Sequence, residues 1–180
     1  MAGGNGVKVD AATYGVEETL RDGRRVTIRA QRPDDREAMA AAARKTSERT
    51  RYLRFFAPKR SMSEREIEAI MNVDFVNTAA LIAVLEEGGK AVVAGGGRYI
   101  VCRPGVAEIA FVVVDAFHGQ GIGSLLMRHL AILGRAAGLR EFTAEVLGEN
   151  ASMLGVFRKS GLPMTTRRGD GVIHVSLVLA

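Results

Sequence analysis

Apolar residues recur at three- and four-residue steps along residues 122–137: Ile122, Leu125, Leu126, Leu130 and Leu133, with His129 on the same side. That spacing predicts an amphipathic helix, and Gly138 supplies its stop. The preceding stretch, residues 106–114, is apolar except for Glu108 and predicts a buried strand. Residues 142–147 predict a second strand running in the same sense, so the three segments form a βαβ unit. Upstream, residues 79–86 and 90–102 predict strands joined at the turn Glu87, Gly88 and Gly89. Gly95, Gly96 and Gly97 inside the second of these predict a bulge or a close backbone approach. Residues 26–30 alternate as a first strand. Pro33, Asp34 and Asp35 open a helix reaching about residue 44, and Ser63 with Glu66 caps another that carries Ile67, Ile70 and Met71. Residues 45–61 read as a polar and aromatic connector, helical in part. Residues 151–160 read as a short helix and 172–179 as a last strand. The glycine-rich residues 1–18 are expected to be a flexible tail, leaving 19–180 as one domain.

The chemistry concentrates where the apolar strand meets the long helix. Residues 115–124 read DAFHGQGIGS. A glycine-rich turn opening a helix aims free backbone N–H groups at the positive end of the helix dipole, which makes an anion site suited to phosphate. A Walker A loop is excluded because no lysine follows the glycines. A dinucleotide fingerprint nearly fits, with Ser124 in place of its third small residue and Glu141 about 20 positions on. The strand–helix alternation of a doubly wound sheet is missing, however.

Composition narrows the classes further. The 180 residues carry a net charge of +5 and a single cysteine. Cys102 has no internal disulfide partner, which fits a reducing cytoplasm, and it is expected to be a packed strand thiol. The arginines are scattered without stacking aromatics, so a nucleic-acid partner is not expected. No apolar run reaches membrane-spanning length, and no secretory signal stands at residues 1–20. No Cys/His/Asp cluster has metal-ligand spacing. His129 reads as a packed residue, and His174 is assigned no role.

The spacing His118-x-x-Gly121-x-Gly123 resembles the pyrophosphate loop of the GNAT superfamily of N-acyltransferases, with His118 standing where arginine or glutamine is commoner. The strand EIAFVVV at 108–114 is similar to the superfamily strand beside the pantetheine arm. Residues 145–162 resemble its next strand and helix, with Asn150 and then Phe157 where a tyrosine is usual. Residues 47–56, SERTRYLRFF, are similar to a segment of bacterial protein lysine acetyltransferases that modify acyl-CoA synthetases. The resemblance implies an α/β (α+β) GNAT fold, a mixed and mostly antiparallel sheet flanked by helices. It implies that the helices at 33–44 and 63–71 wall the acceptor site.

The implied reaction is acetyl transfer from acetyl-CoA to an amine by direct attack on the thioester. A protein lysine is the first acceptor to consider and a small-molecule amine the second; a non-catalytic acyl-CoA-binding module is the rival class. Glu108 is the candidate base and Glu145 the alternative. A free glutamate is a weak base, so burial is expected around it. Val112, Val113 and Val114 are expected to offer a backbone donor to the oxyanion. His118, Gly119, Gln120, Gly121, Ile122, Gly123 and Ser124 are expected to hold phosphates, Asn150 and Phe157 to line the cofactor arm, and Arg51, Tyr52 and Arg54 to meet the acceptor. No metal is expected. The oligomeric state stays open.

Overall fold

In the computed structural model, residues 9–179 are described. They form one eight-stranded sheet of order β1-β2-β3-β4-β5-β6-β8-β7. The strands are β1 (Gly15–Thr19), β2 (Arg25–Ala30), β3 (Thr78–Glu87), β4 (Lys90–Arg103), β5 (Val106–Val113), β6 (Glu141–Leu147), β7 (Met164–Gly169) and β8 (Val172–Val178). The helices are α1 (Arg36–Arg44), α2 (Glu48–Phe55), α3 (Glu64–Met71), α4 (Ile122–Ala136) and α5 (Ala151–Lys159). All neighbouring strands run antiparallel except β5 and β6. This is the mixed, mostly antiparallel sheet with a single βαβ unit that was expected.

Two strands differ from the sequence reading, and the helical part of the connector takes definite bounds. Residues 1–8 of the expected tail lie outside the described residues, but Gly15–Thr19 is an edge strand paired along its length with β2. Its residues are largely exposed, so burial leaves no alternating signal to read. Strand β7 at the opposite edge is hidden for the same reason. Within the connector, Ser47 accepts from the Thr50 N–H and starts helix α2, which ends at Phe56 in the left-handed region.

The core lies between the sheet and α4. Leu126, Leu130 and Leu133 of the helix meet Ile109, Phe111, Phe142 and Leu177 of the sheet, all of them buried. Burying one such side chain contributes about 1.5 to 3 kcal/mol. Gly97 allows the closest packing in this layer. A Cβ there would sit 2.6 Å from Phe111 Cδ1, a distance that forbids any larger residue without movement of the ring. The predicted bulge is also present, as a register shift between Ala83 and Val84 opposite the glycine run. Cys102 departs from expectation: it is exposed on β4, its thiol 3.5 Å from the Val106 carbonyl. Among the described residues no helix is long and apolar enough to cross a membrane.

Candidate active site

Strands β5 and β6 pair in parallel only at Val106, Ala107 and Glu108, opposite Glu141, Phe142 and Thr143. Beyond that point they part, while β5 stays paired with β4 as far as Val113. The gap widens into a cleft of about 550 Å³ that runs from Glu108 and Glu145 to the loop before α4. Parting leaves backbone groups of β5 without a strand partner. In an extended strand successive residues turn their N–H and C=O to opposite edges. The Val114 N–H donates to the Ala94 carbonyl on the β4 side at 2.8 Å. Phe111 and Val113 therefore turn their amides to the gap, and the Val113 carbonyl meets His118 Nε2 at 2.8 Å. Of the three valines named from the sequence, the alternation selects Val113. Val112 also lines the cleft, and Val114 is buried in the core.

The loop closes the far end of the cleft. Gly119 and Gly121 hold φ values of 78° and 93°, a region that costs an L side chain about 1 to 2 kcal/mol. Gly121 is the N-cap of α4 and no side chain caps the helix start. The first amides of α4, at Ile122, Gly123 and Ser124, thus keep the dipole and donors that an anion needs. All three residues line the cleft, as do His118 and Gly119. Gln120 does not line it, and its Oε1 is buried without a hydrogen-bond partner among the described residues. These features suit the pyrophosphate of an acyl-CoA.

The remaining walls come from α2, α5 and β6. Asn150 caps α5 by accepting from the Met153 N–H at 3.1 Å and faces the cleft. Phe157 is 1% exposed, packs with its ring centroid 6.1 Å from that of Phe111, and lines the cleft. Helix α2 supplies Thr50, Leu53, Arg54 and Phe55. The wall expected from the helices at 33–44 and 63–71 is therefore built by α2, and neither α1 nor α3 lines the cleft. Asp115 fixes α2 to the loop. It accepts from the Ser47 N–H at 2.8 Å, the Ser47 hydroxyl at 2.7 Å and the Thr50 hydroxyl at 3.0 Å. Burial opposes its ionisation, but these donors hold its carboxyl below the usual aspartate range.

The charged residues named from the sequence separate. Glu108 and Glu145 both line the cleft and both are exposed, so the expected burial around the base is not provided. Glu145 lies 3.2 Å from His174 Nδ1 on β8. Arg54 lines the cleft near Glu108. Burial pushes its guanidinium below the ordinary value and the charge of Arg98 adds to this, while Glu108 acts in the other direction. Arg51 lies away from the cleft. It is 8% exposed and donates to the Lys59 carbonyl at 2.8 Å, the Ala43 carbonyl at 3.3 Å and the Thr46 carbonyl. Tyr52 is not on the cleft wall. Arg21 is, although nothing in the sequence marked it. Among the described residues no group of three or more His, Cys, Asp or Glu could hold a metal ion.

Residues 42–162 match the model of the Acetyltransferase (GNAT) family. Acetyltransferase PA5475 of Pseudomonas aeruginosa is 32% identical over 137 residues, 76% of this chain and 74% of that protein. Acetyltransferase Pat of Mycolicibacterium smegmatis is 30% identical over 146 residues, 79% of this chain and 42% of that longer protein. Among solved structures, the GNAT domain of S. lividans PAT matches with a TM-score of 0.82 at 32% identity, covering 91% of this chain and 96% of that one. The fold of yncA from Salmonella typhimurium, solved with its cofactor acetyl-CoA, matches with a TM-score of 0.67 at 17% identity, over 86% of this chain and 94% of that one.

Proposed function

The chain belongs to the GNAT family of acetyltransferases, and from that premise we propose that it acetylates the side-chain amine of a protein lysine, using acetyl-CoA, in the cytoplasm. The observation that carries this reading is the parting of β5 and β6 directly above Glu108, which opens a cleft ending at an uncapped helix start. Bound acetyl-CoA supplies the activated acyl group. The chain's residues then have separable tasks. Gly119, Gly121 and the first amides of α4 hold the pyrophosphate, with the backbone of β5 and the faces of Asn150 and Phe157 aligning the arm. The Val113 N–H, turned into the gap, is the donor placed for the oxyanion. A preorganised donor of this kind contributes about 3 to 4 kcal/mol. Glu108 accepts the proton of the attacking amine, directly or through one water. Making a lysine amine neutral at pH 7 costs roughly 4 to 5 kcal/mol, so a positioned base matters. Phe157 cannot donate a proton to the departing sulfur. A thiol pKa near 8.5 makes the thiolate a fair leaving group that solvent protonates.

A protein acceptor is supported by the openness of the site beyond Glu145. Thr143, Glu145, His174 and Ser176 share one sheet face across β6 and β8, and Glu145 and His174 are each at least 40% exposed in their side chains. A lysine carried on a folded partner can reach an open face of this kind. The similarity of the 47–56 segment to lysine acetyltransferases of acyl-CoA synthetases points to the same class. The test is release of free thiol from acetyl-CoA with purified acyl-CoA synthetases and, separately, with small amines. Acetylation of a synthetase lysine is expected, and Glu108→Gln should lower its turnover by roughly 10²- to 10⁴-fold. Raising the pH should recover part of that loss, because more amine is already neutral. Turnover of a small amine with every protein lysine untouched would overturn the acceptor reading.

A further inference from the structure

We propose that Arg21 is a binding residue for the pyrophosphate of acetyl-CoA, delivered to the loop from the turn between β1 and β2. The inference rests on the functional reading above and adds to it a cationic side chain that the loop lacks. The side chain at the first motif position, His118, is engaged by the Val113 carbonyl at 2.8 Å. No basic residue lies within 119–124. Backbone amides alone would face two phosphates without a formal positive charge. Arg21 stands where that charge is needed. Its Nη1 donates to the Gly119 carbonyl at 3.1 Å, and its backbone N–H lies 3.4 Å from the Gln120 carbonyl. Its Nε is 3.8 Å from the point a Cβ on Gly121 would occupy. The guanidinium thus lies across both left-handed glycines of the loop, inside the cleft wall.

The remaining donors of Arg21 are available. One of five guanidinium N–H groups is used on Gly119. Among the described residues no carboxylate forms a salt bridge with it. The neighbouring Asp22 is taken by Arg24 at 2.8 Å. The turn is held in place by contacts that leave the Arg21 head free. Leu20 is buried in the core, and the Arg24 guanidinium sits 5.5 Å from the Phe117 ring centre, just before the loop. Strand β1 is tied to α4 where Glu18 meets His129 Nε2 at 2.8 Å and Arg128. A planar guanidinium so placed suits two-point contact with phosphate oxygens.

The test compares wild type, Arg21→Ala and Arg21→Lys by calorimetry with CoA and with 3′-dephospho-CoA, which keeps the pyrophosphate. The alanine variant should bind both ligands roughly 10- to 100-fold more weakly, and the lysine variant should fall between. The preference in kcat/KM for acetyl-CoA over acetyl-pantetheine, which has no pyrophosphate, should narrow by the same factor. Unchanged affinity of Arg21→Ala beside a wild type that binds CoA would overturn this inference alone. A loss confined to CoA would overturn it by moving the contact to the 3′-phosphate. An equal loss with acetyl-pantetheine would overturn it by making Arg21 a prop for the loop. A wild type that fails to bind CoA would overturn the functional reading and this inference together.

Discussion

The two ends of the cleft are held by different means. The loop at residues 115–124 takes its shape from backbone conformation: two left-handed glycines, an uncapped helix start and a strand that leaves its neighbour. The wall formed by α2 takes its position from side chains that reach across the chain. Asp115 gathers Ser47 and Thr50, and Arg51 ties α2 to the carbonyls of residues 43, 46 and 59. A change at His118 leaves the uncapped amides at the start of α4 in place. A side-chain-built wall changes whenever one of its ties changes. In the reading proposed above, the loop end meets the acyl donor and the α2 end meets the acceptor.

Breaking the backbone-built end should give the largest effect. Gly121→Glu puts a side chain at φ 93° and a carboxylate at the positive end of α4. Strain and repulsion together should weaken acetyl-CoA binding by roughly 100-fold or more. Calorimetry on the variant, with a cooperative thermal transition as the check on folding, measures this; wild-type affinity would move the anion site elsewhere.

The side-chain-built end should fail differently, in stability before affinity. Arg51→Ala removes the guanidinium donors to the Lys59 and Thr46 carbonyls and one of two donors to the Ala43 carbonyl, which keeps the Thr46 N–H. A loss of about 2 to 3 kcal/mol is expected. That corresponds to a fall of roughly 4 to 12 °C in melting temperature for a domain of this size. Acetyl-CoA affinity should stay near wild type. An unchanged melting temperature with an altered acceptor KM would instead put Arg51 back at the acceptor.

The smallest effect sharpens the link between the two ends. Asp115→Asn weakens the tie to Ser47 and Thr50, with an expected cost of about 1 to 2 kcal/mol at neutral pH. The sign of its pH dependence follows from the lowered carboxyl. The contribution of Asp115 is fully present above the ordinary aspartate value of about 3.9 and fades as pH falls through the lower folded-state value. The stability difference between wild type and Asp115→Asn, read from denaturant melts across acidic pH, should shrink in that window. A difference independent of pH would remove Asp115 as a charged tie.

Local rules made the donor end legible. Glycines at 119, 121 and 123, the three- and four-residue steps of α4 and the apolar run of β5 are all signals within a few neighbours along the chain. The α2 end was less legible. Ser47 as a cap is a local signal, but the facing of Arg51 away from the cleft and of Arg54 toward it depends on how α2 lies against β5 and β6. Glu145 was named as a base from its strand, yet its neighbour His174 is set by pairing across the sheet.

The sequence by itself determined the family, the order of the central elements and the loop, because glycine geometry and hydrophobic period act over one or two helical turns. It also determined that Glu108 stands at the entrance of the strand leading to that loop. Only the tertiary structure decided that residues 15–19 and 164–169 become edge strands, since exposed edges carry no burial pattern. It alone brought Asp115 to Ser47, 68 residues apart, and Arg21 to Gly119, 98 residues apart. Contacts at such separations are fixed by how the sheet orders its strands, and no local spacing of residue types encodes that order.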